Sequence, residues 1–220
     1  VNDLTEDITS WSTKVYQLTT TYTPGAVAGV QLTDEYPAGT DISDDLVNLT
    51  SEVQAVTYHF KARIRDPRGT NPGEYCDQGR DTSITIYLNP TPELSAAVVP
   101  DETVYCDSST VNITVNDLTG NVFSGSEKVY ELTTTYTPGA VEGVQPADEY
   151  PADTDISNDL VNLTGKVQQV DYTFKPRIRD DRPGHQGEYC DQGGDTTITI
   201  YLNPTPRLSV SVTDTVFCDS

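Results

Sequence analysis

The chain of 220 residues has no methionine, one tryptophan (Trp11) and two histidines (His59 and His185). No run approaches the ~20 apolar residues of a membrane-spanning helix, and the N-terminus carries neither an initiator methionine nor a secretory signal pattern. It is therefore expected to be an internal or processed fragment of something longer. Basic residues are scarce: 13 Lys and Arg stand against 34 Asp and Glu, a formal charge of −21. Such a chain repels nucleic-acid phosphates and the anionic face of a membrane, which excludes both as partners and leaves cations as the natural ones. None of the 4 cysteines forms the CxxC spacing of a zinc site or redox dithiol.

What is present is a repeat. VNDLT at Val1 returns at Val115, and the same offset of 114 carries VYQLTTTYTPGAVAGV, DEYPAGTDISDDLVNLT and GEYCDQGRDTSITIYLNPTP onto near-copies. A period of that size marks tandem whole domains, not a solenoid. Tandem copies more often span distance or display surface than perform one reaction.

Period-two alternation dominates each unit. Ile84, Ile86 and Leu88 share a strand face, as do Ile198, Ile200 and Leu202; Val56, Tyr58, Phe60 and Ile64 match Val170, Tyr172, Phe174 and Ile178; Tyr130, Leu132 and Tyr136 form a third face. No window reads as an amphipathic helix. About seven short strands per repeat, separated by Pro, Gly and Asn turns, predict an all-β fold of tandem immunoglobulin-like β-sandwich domains. The rigid NPTP segments set the boundaries. Residues 1–90 form a repeat lacking its first strand or strands, 91–204 a complete repeat, and 205–220 the opening strand segment of a following one. A repeat without its opening strands exposes its core and a sheet edge. It is expected to be completed by chain beyond these termini or, head to tail, by the tail of another copy.

The motifs TVYCDSSTVNITV, ISNDLVNLTGKVQQVDYTFKPRI and CDQGGDTTITIYLNPTP, covering nearly all of both units, resemble the PKD-like (polycystic-kidney-disease-like) immunoglobulin-fold repeats of giant Bacteroidetes surface and gliding adhesins. The resemblance implies an extracellular, cell-surface or secreted setting and a structural stalk, with no catalysis. VYELTTTYTP departs from the pattern where many relatives carry a tryptophan, so the core there is expected to rest on Tyr130 and Leu132.

The cysteines occur as GEYCDQG (Cys76, Cys190) and TV[YF]CDS (Cys106, Cys218). Their even number suggests disulfides and an oxidising location. If each domain joins its opening cysteine to the one before its last strand, Cys106 pairs with Cys190, and Cys76 and Cys218 need neighbouring domains or copies. A Cys76–Cys106 bridge stapling adjacent domains is the alternative.

Candidate sites are sparse. The histidines are not repeated, since His59 aligns with Thr173 and His185 with Asn71. No Ser or Cys nucleophile has a reproducible His partner, so no enzyme is expected. Two recurring carboxylate groups suit the hard oxygen coordination of Ca²⁺, although acidic loops are usually only solvated: Asp34, Glu35, Asp41, Asp44 and Asp45, then Asp148, Glu149, Asp153, Asp155 and Asp159. No organic cofactor is indicated. Sequons place Asn48, Asn112 and Asn162 as glycosylation candidates against a packed-side-chain reading, and Asp-Thr pairs add Thr196 and Thr215. Tyrosines in the TPG and DEYP turns could stack on sugars or pack the turns. Two functions follow: a structural stalk or filament segment whose partners are neighbouring repeats or copies of itself, and a polysaccharide- or surface-binding module with calcium-fixed loops.

Overall fold

The computed structural model describes residues 1–66 and 74–211, and among them there is no helix. In the first repeat the strands are β1 (Thr13–Thr21), β2 (Val27–Ala28), β3 (Asp34–Pro37), β4 (Val47–Asn48), β5 (Gln54–Asp66), β6 (Glu74–Cys76) and β7 (Asp81–Leu88). The second has β8 (Leu94–Val99), β9 (Val104–Tyr105), β10 (Ser109–Asp117), β11 (Ser126–Tyr136), β12 (Val141–Glu142), β13 (Asp148–Pro151), β14 (Ile156–Asn162), β15 (Gln168–Asp180), β16 (Tyr189–Cys190) and β17 (Thr196–Leu202). Threonine and β-branched residues suit a pleated, half-buried surface, and the turns between them leave no length for a helix.

The second repeat is a two-sheet, immunoglobulin-like sandwich. One sheet runs β13-β11-β15-β17-β9 and the other β12-β14-β10-β8. Between them lie Val111, Ile113, Tyr130, Leu132, Ile156, Leu160, Val170, Tyr172, Phe174, Ile200 and Leu202. The alternation legible in the sequence is the inner face, and the expected Tyr130–Leu132 core is present, both residues being fully buried. Tyr136, expected on the same face, is exposed at the end of β11.

In the first repeat the sheet β3-β1-β5-β6, with β7 also on β5, is retained, but among the described residues its second sheet is only the pair β2-β4. The core shrinks to Tyr16, Leu18, Val27, Val56 and Tyr58. The segments ISDDLVN (42–48) and ISNDLVN (156–162) differ at one position, yet the latter is a seven-residue strand and the former only the two residues of β4. The partner decides: β14 lies on β10, with Ile113 opposite Ile156 and Ser109 opposite Leu160, whereas among the described residues no strand lies beside 42–46. Nearly identical local sequence thus takes a strand form only where tertiary pairing supplies the hydrogen bonds.

Both repeats keep one tight loop. Gly29 and Gly143 have φ of +78° and +79°, and a Cβ there would lie 2.0 Å and 1.9 Å from the carbonyl oxygens of Asp45 and Asp159. Only glycine fits.

The chain forms two compact units. One comprises Val1–Glu93, Leu118–Lys128 and Arg177–Gly193; the other comprises Leu94–Asp117, Val129–Pro176 and the chain from Gly194.

Candidate assembly site

The site begins with two isoleucines. Ile198 and Ile200 on β17 are 9% and 0% exposed, while their equivalents Ile84 and Ile86 on β7 are 55% and 40% exposed. Sequence alternation placed all four on buried faces; Ile84 and Ile86 are uncovered because among the described residues no strands equivalent to β8 and β10 lie over them. In the second repeat Val98, Val111, Ile113 and Val115 from those strands are buried in the core. Covering the half-exposed Ile84 and Ile86 would contribute roughly 2 kcal/mol together.

The edge of the sheet is open too. In the second repeat β9 runs parallel to the end of β17, with Val104 beside Tyr201 and Tyr105 beside Leu202. Tyr201 N–H donates to the Thr103 carbonyl at 2.8 Å, and Asn203 N–H donates to the Tyr105 carbonyl at 2.8 Å. The equivalent segment of the first repeat, Tyr87-Leu88-Asn89, has a strand on one side only, because β7 pairs with β5 alone among the described residues. Unpaired edges of this kind accept an added strand.

A segment shaped for that role is also exposed. Residues 207–211 (RLSVS) repeat the ELSAA that opens the second repeat. Leu94 and Ala96 pack against the core. Their equivalents Leu208 and Val210 are 90% and 80% exposed.

Cys76, Cys106 and Cys190 are free and exposed thiols. The expected Cys106–Cys190 bridge is therefore corrected, and strand register gives the reason. Cys190 lies opposite Ile178, whereas Cys106 follows Tyr105, which neighbours Leu202, itself opposite Gln168. Ten residues of β15 separate those positions, about 33 Å of strand, against the ~7 Å that a disulfide spans between Cα atoms. Cys218 and Thr215 lie outside the described residues.

The Asn89 side chain has two partners within one compact unit. Its Oδ1 accepts the Phe123 N–H at 2.7 Å and its Nδ2 donates to Ser126 Oγ at 3.0 Å. Burial pushes the pKa of the Cys190 thiol up. The Tyr87 and Phe123 rings lie 4.6 Å apart, with the Arg182 guanidinium 5.3 Å from the Phe123 centroid. The sequence reading missed Asn89, although its recurrence in both NPTP segments marked it.

The acidic residues read as calcium ligands are not gathered into one site; most serve backbone or ion-pair roles. Asp153 Oδ1 accepts the Asp117 N–H at 2.6 Å, Asp155 Oδ1 the Val115 N–H at 3.0 Å, and Asp159 Oδ1 the Thr110 hydroxyl at 2.7 Å. Asp34 and Asp148 accept the N–H of the next residue, Glu35 and Glu149, both at 2.8 Å. Glu35 pairs with Arg65 at 2.8 Å, and Asp41 with the Val1 amino group at 2.5 Å. Asp44 takes the Gln31 N–H at 2.9 Å and the Tyr58 hydroxyl. Asp45 contributes its carbonyl against Gly29. Among the described residues the group with ligand atoms within 4.8 Å of one another is Asp180, His185 and Glu188. Arg182 occupies that carboxylate: its guanidinium hydrogen bonds, and then its backbone N–H, hold Asp180 at a pKa of about 2.

The sequon asparagines divide. Asn162 is buried, donating to the Lys166 and Leu202 carbonyls at 2.8 and 2.9 Å and accepting the Thr164 N–H at 2.9 Å. Asn48 repeats this with Glu52, Leu88 and Thr50. Both amides are thus committed to holding the turn after the strand. Asn112 is exposed on β10 and accepts the Ser157 hydroxyl at 2.7 Å, and Thr196 opens β17 half-buried. The DEYP tyrosines pack on the sheet: Tyr36 stacks on Tyr16 and Tyr150 on Tyr130, each at 5.5 Å.

No family model and no curated protein matches the chain. Among solved structures, the crystal structure of CBD12 from CALX1.2 aligns over 87% of this chain and 86% of that one, with 11% identity and a TM-score of 0.29.

Proposed function

We propose that the chain is a structural segment of an extracellular tandem-repeat stalk or filament of a bacterial surface adhesin, in which the opening strands of one repeat close the sandwich of another. The observation that carries this reading is the exposure of Ile84 and Ile86 where near-identical sequence buries Ile198 and Ile200. The occupant is a second copy of the opening segment Glu93–Thr114. That segment supplies the missing layer in the complete repeat, and its partial repeat at 207–211 stands exposed with its apolar face unused. No catalytic group is assigned. The PKD-like resemblance and the acidic, turn-rich composition support an extracellular setting.

The test is thermal unfolding of the full chain with and without a synthetic peptide of residues 93–114 carrying Cys106→Ser. Dose-dependent stabilisation of the earliest transition supports strand completion. An unchanged melt, together with saturable binding on a glycan array, would replace it by the binding-module reading.

A further inference from the structure

We infer that Ser43 and Asp45, together with a carboxylate-receiving pocket at Asn48 and Thr91, set the register in which a second copy of the opening segment closes the first repeat. The inference rests on the strand-completion reading.

The complete repeat supplies the pattern. On its outer face, β10 and β14 place Thr110 directly opposite Asp159 and Asn112 directly opposite Ser157. The Thr110 hydroxyl donates to Asp159 Oδ1 at 2.7 Å, and the Ser157 hydroxyl donates to Asn112 Oδ1 at 2.7 Å. A third anchor lies just before β10, where Asp107 Oδ1 accepts the Asn162 N–H at 2.7 Å and Oδ2 accepts the Thr205 hydroxyl. The Thr205 hydroxyl, and then the Asn162 N–H, hold the Asp107 carboxyl below its ordinary pKa.

The offset of 114 carries every receiving group of this set onto the first repeat, where the equivalents of Asp159, Ser157, Asn162 and Thr205 are Asp45, Ser43, Asn48 and Thr91. Ser43 and Asp45 are exposed and alternate with Ile42 and Leu46, which pack against the first core. Among the described residues neither of their side chains has a hydrogen-bond partner. Asn48 and Thr91 line a cavity of about 290 Å³, with Leu118 and Thr119 on its wall. The receiving half of the pattern is therefore present and unused.

Apolar burial alone cannot choose the register. Side chains alternate with period two, so a slip of two residues keeps Val111 and Ile113 on the inner face and exchanges one branched side chain for another. The polar contacts are not degenerate in this way. The slip sets Thr110 against Ser43 or Val47 instead of Asp45, and moves Asp107 about 7 Å away from Asn48 and Thr91. Only the register of β10 on β14 meets all three contacts at once. The partner these groups select is a strand carrying Asp, Thr and Asn at the spacing of Asp107, Thr110 and Asn112, which is the opening segment of this chain.

The test titrates the full chain with a fluorescently labelled Cys106→Ser peptide of residues 93–114 in two double-mutant cycles. Thr110→Val in the peptide and Asp45→Ala in the chain should each weaken binding about fivefold or more, and together little more than either alone. Asp107→Ala in the peptide and Thr91→Val in the chain should be non-additive in the same way. Isotope-filtered NMR contacts should join Ile113 of the peptide to Ile42 of the chain, as Ile113 faces Ile156 in the complete repeat. Additive losses in either cycle, or contacts that set Ile113 against Thr40 or Asp44, overturn the register assignment and leave strand completion standing. Absence of binding by the Cys106→Ser peptide overturns both.

Discussion

The Asp155 carboxylate accepts the backbone N–H of Val115 at 3.0 Å, fastening the end of β10 to the start of β14. Asp41 and Val1, their equivalents in the first repeat, make the same pairing through the Val1 amino group at 2.5 Å. The same carboxylate-to-nitrogen contact therefore recurs in both repeats. Asp155→Ala should destabilise the second sandwich by about 1.5–3 kcal/mol, the usual scale for a hydrogen bond to a charged group, in a denaturant titration. An unchanged midpoint would show that the carboxylate is only solvated.

The two isoleucine pairs should respond oppositely to Thr. Ile200→Thr removes apolar volume from a filled core and buries a hydroxyl, which should cost about 2–4 kcal/mol. Ile86→Thr should leave the free chain within about 0.5 kcal/mol of wild type, the range of ordinary surface changes, and weaken peptide 93–114 binding at least fivefold. Equal destabilisation by both would mean that β7 is already covered.

Buried tyrosines predict a loss of stability in alkali. Burial raises the Tyr130 and Tyr172 hydroxyls well above their ordinary value of 10.0; burial and then the Asp44 hydrogen bond do the same for Tyr58. The unfolded chain releases these protons near pH 10 while the folded chain retains them. Their contribution is complete below pH 10 and declines as pH rises above it. Unfolding midpoints between pH 8 and 11.5 should fall accordingly. A flat profile would contradict the buried placement.

Among the described residues the Tyr172 hydroxyl is buried without a hydrogen-bond partner, whereas the Tyr130 hydroxyl donates to the Thr154 carbonyl at 2.7 Å. Tyr172→Phe should be neutral or stabilising and Tyr130→Phe should cost about 1 kcal/mol. Denaturant midpoints of the two variants check the contrast.

Asp180 should titrate near 2, below its ordinary 3.8, because Arg182 bonds its charged form. The stabilisation is present above 3.8 and is lost as pH falls toward 2. Carboxyl NMR of Arg182→Ala should return the midpoint to about 3.8; a midpoint still near 2 would assign the shift to other neighbours.

The inner faces of the complete repeat were legible because alternation is a local signal: Tyr172, Phe174 and Ile200 could be read as buried before any strand was paired. The exposure of Ile84 was not legible from its own segment, since DTSITIYL and DTTITIYL alternate alike and what separates them is that among the described residues only the second has strands such as β8 and β10 opposite it. The cysteine pairing misread the same way. Sequence order made Cys106 and Cys190 the first and last of one domain, but antiparallel register puts those positions at opposite ends of a strand. The carboxylates Asp153 and Asp155 looked like ligands because their backbone partners on β10 lie some forty residues away in sequence. Asn89 and Asn162 act through carbonyls and amides that only the folded turn brings near.

Strand completion is tested most directly by hydrogen exchange of the β7 amides, residues 81–88, in the full chain with and without the Cys106→Ser peptide of residues 93–114. Added peptide should slow exchange across β7 at least tenfold while leaving β17, already flanked by β15 and β9, unchanged. Unaltered exchange of β7 at saturating peptide would contradict it.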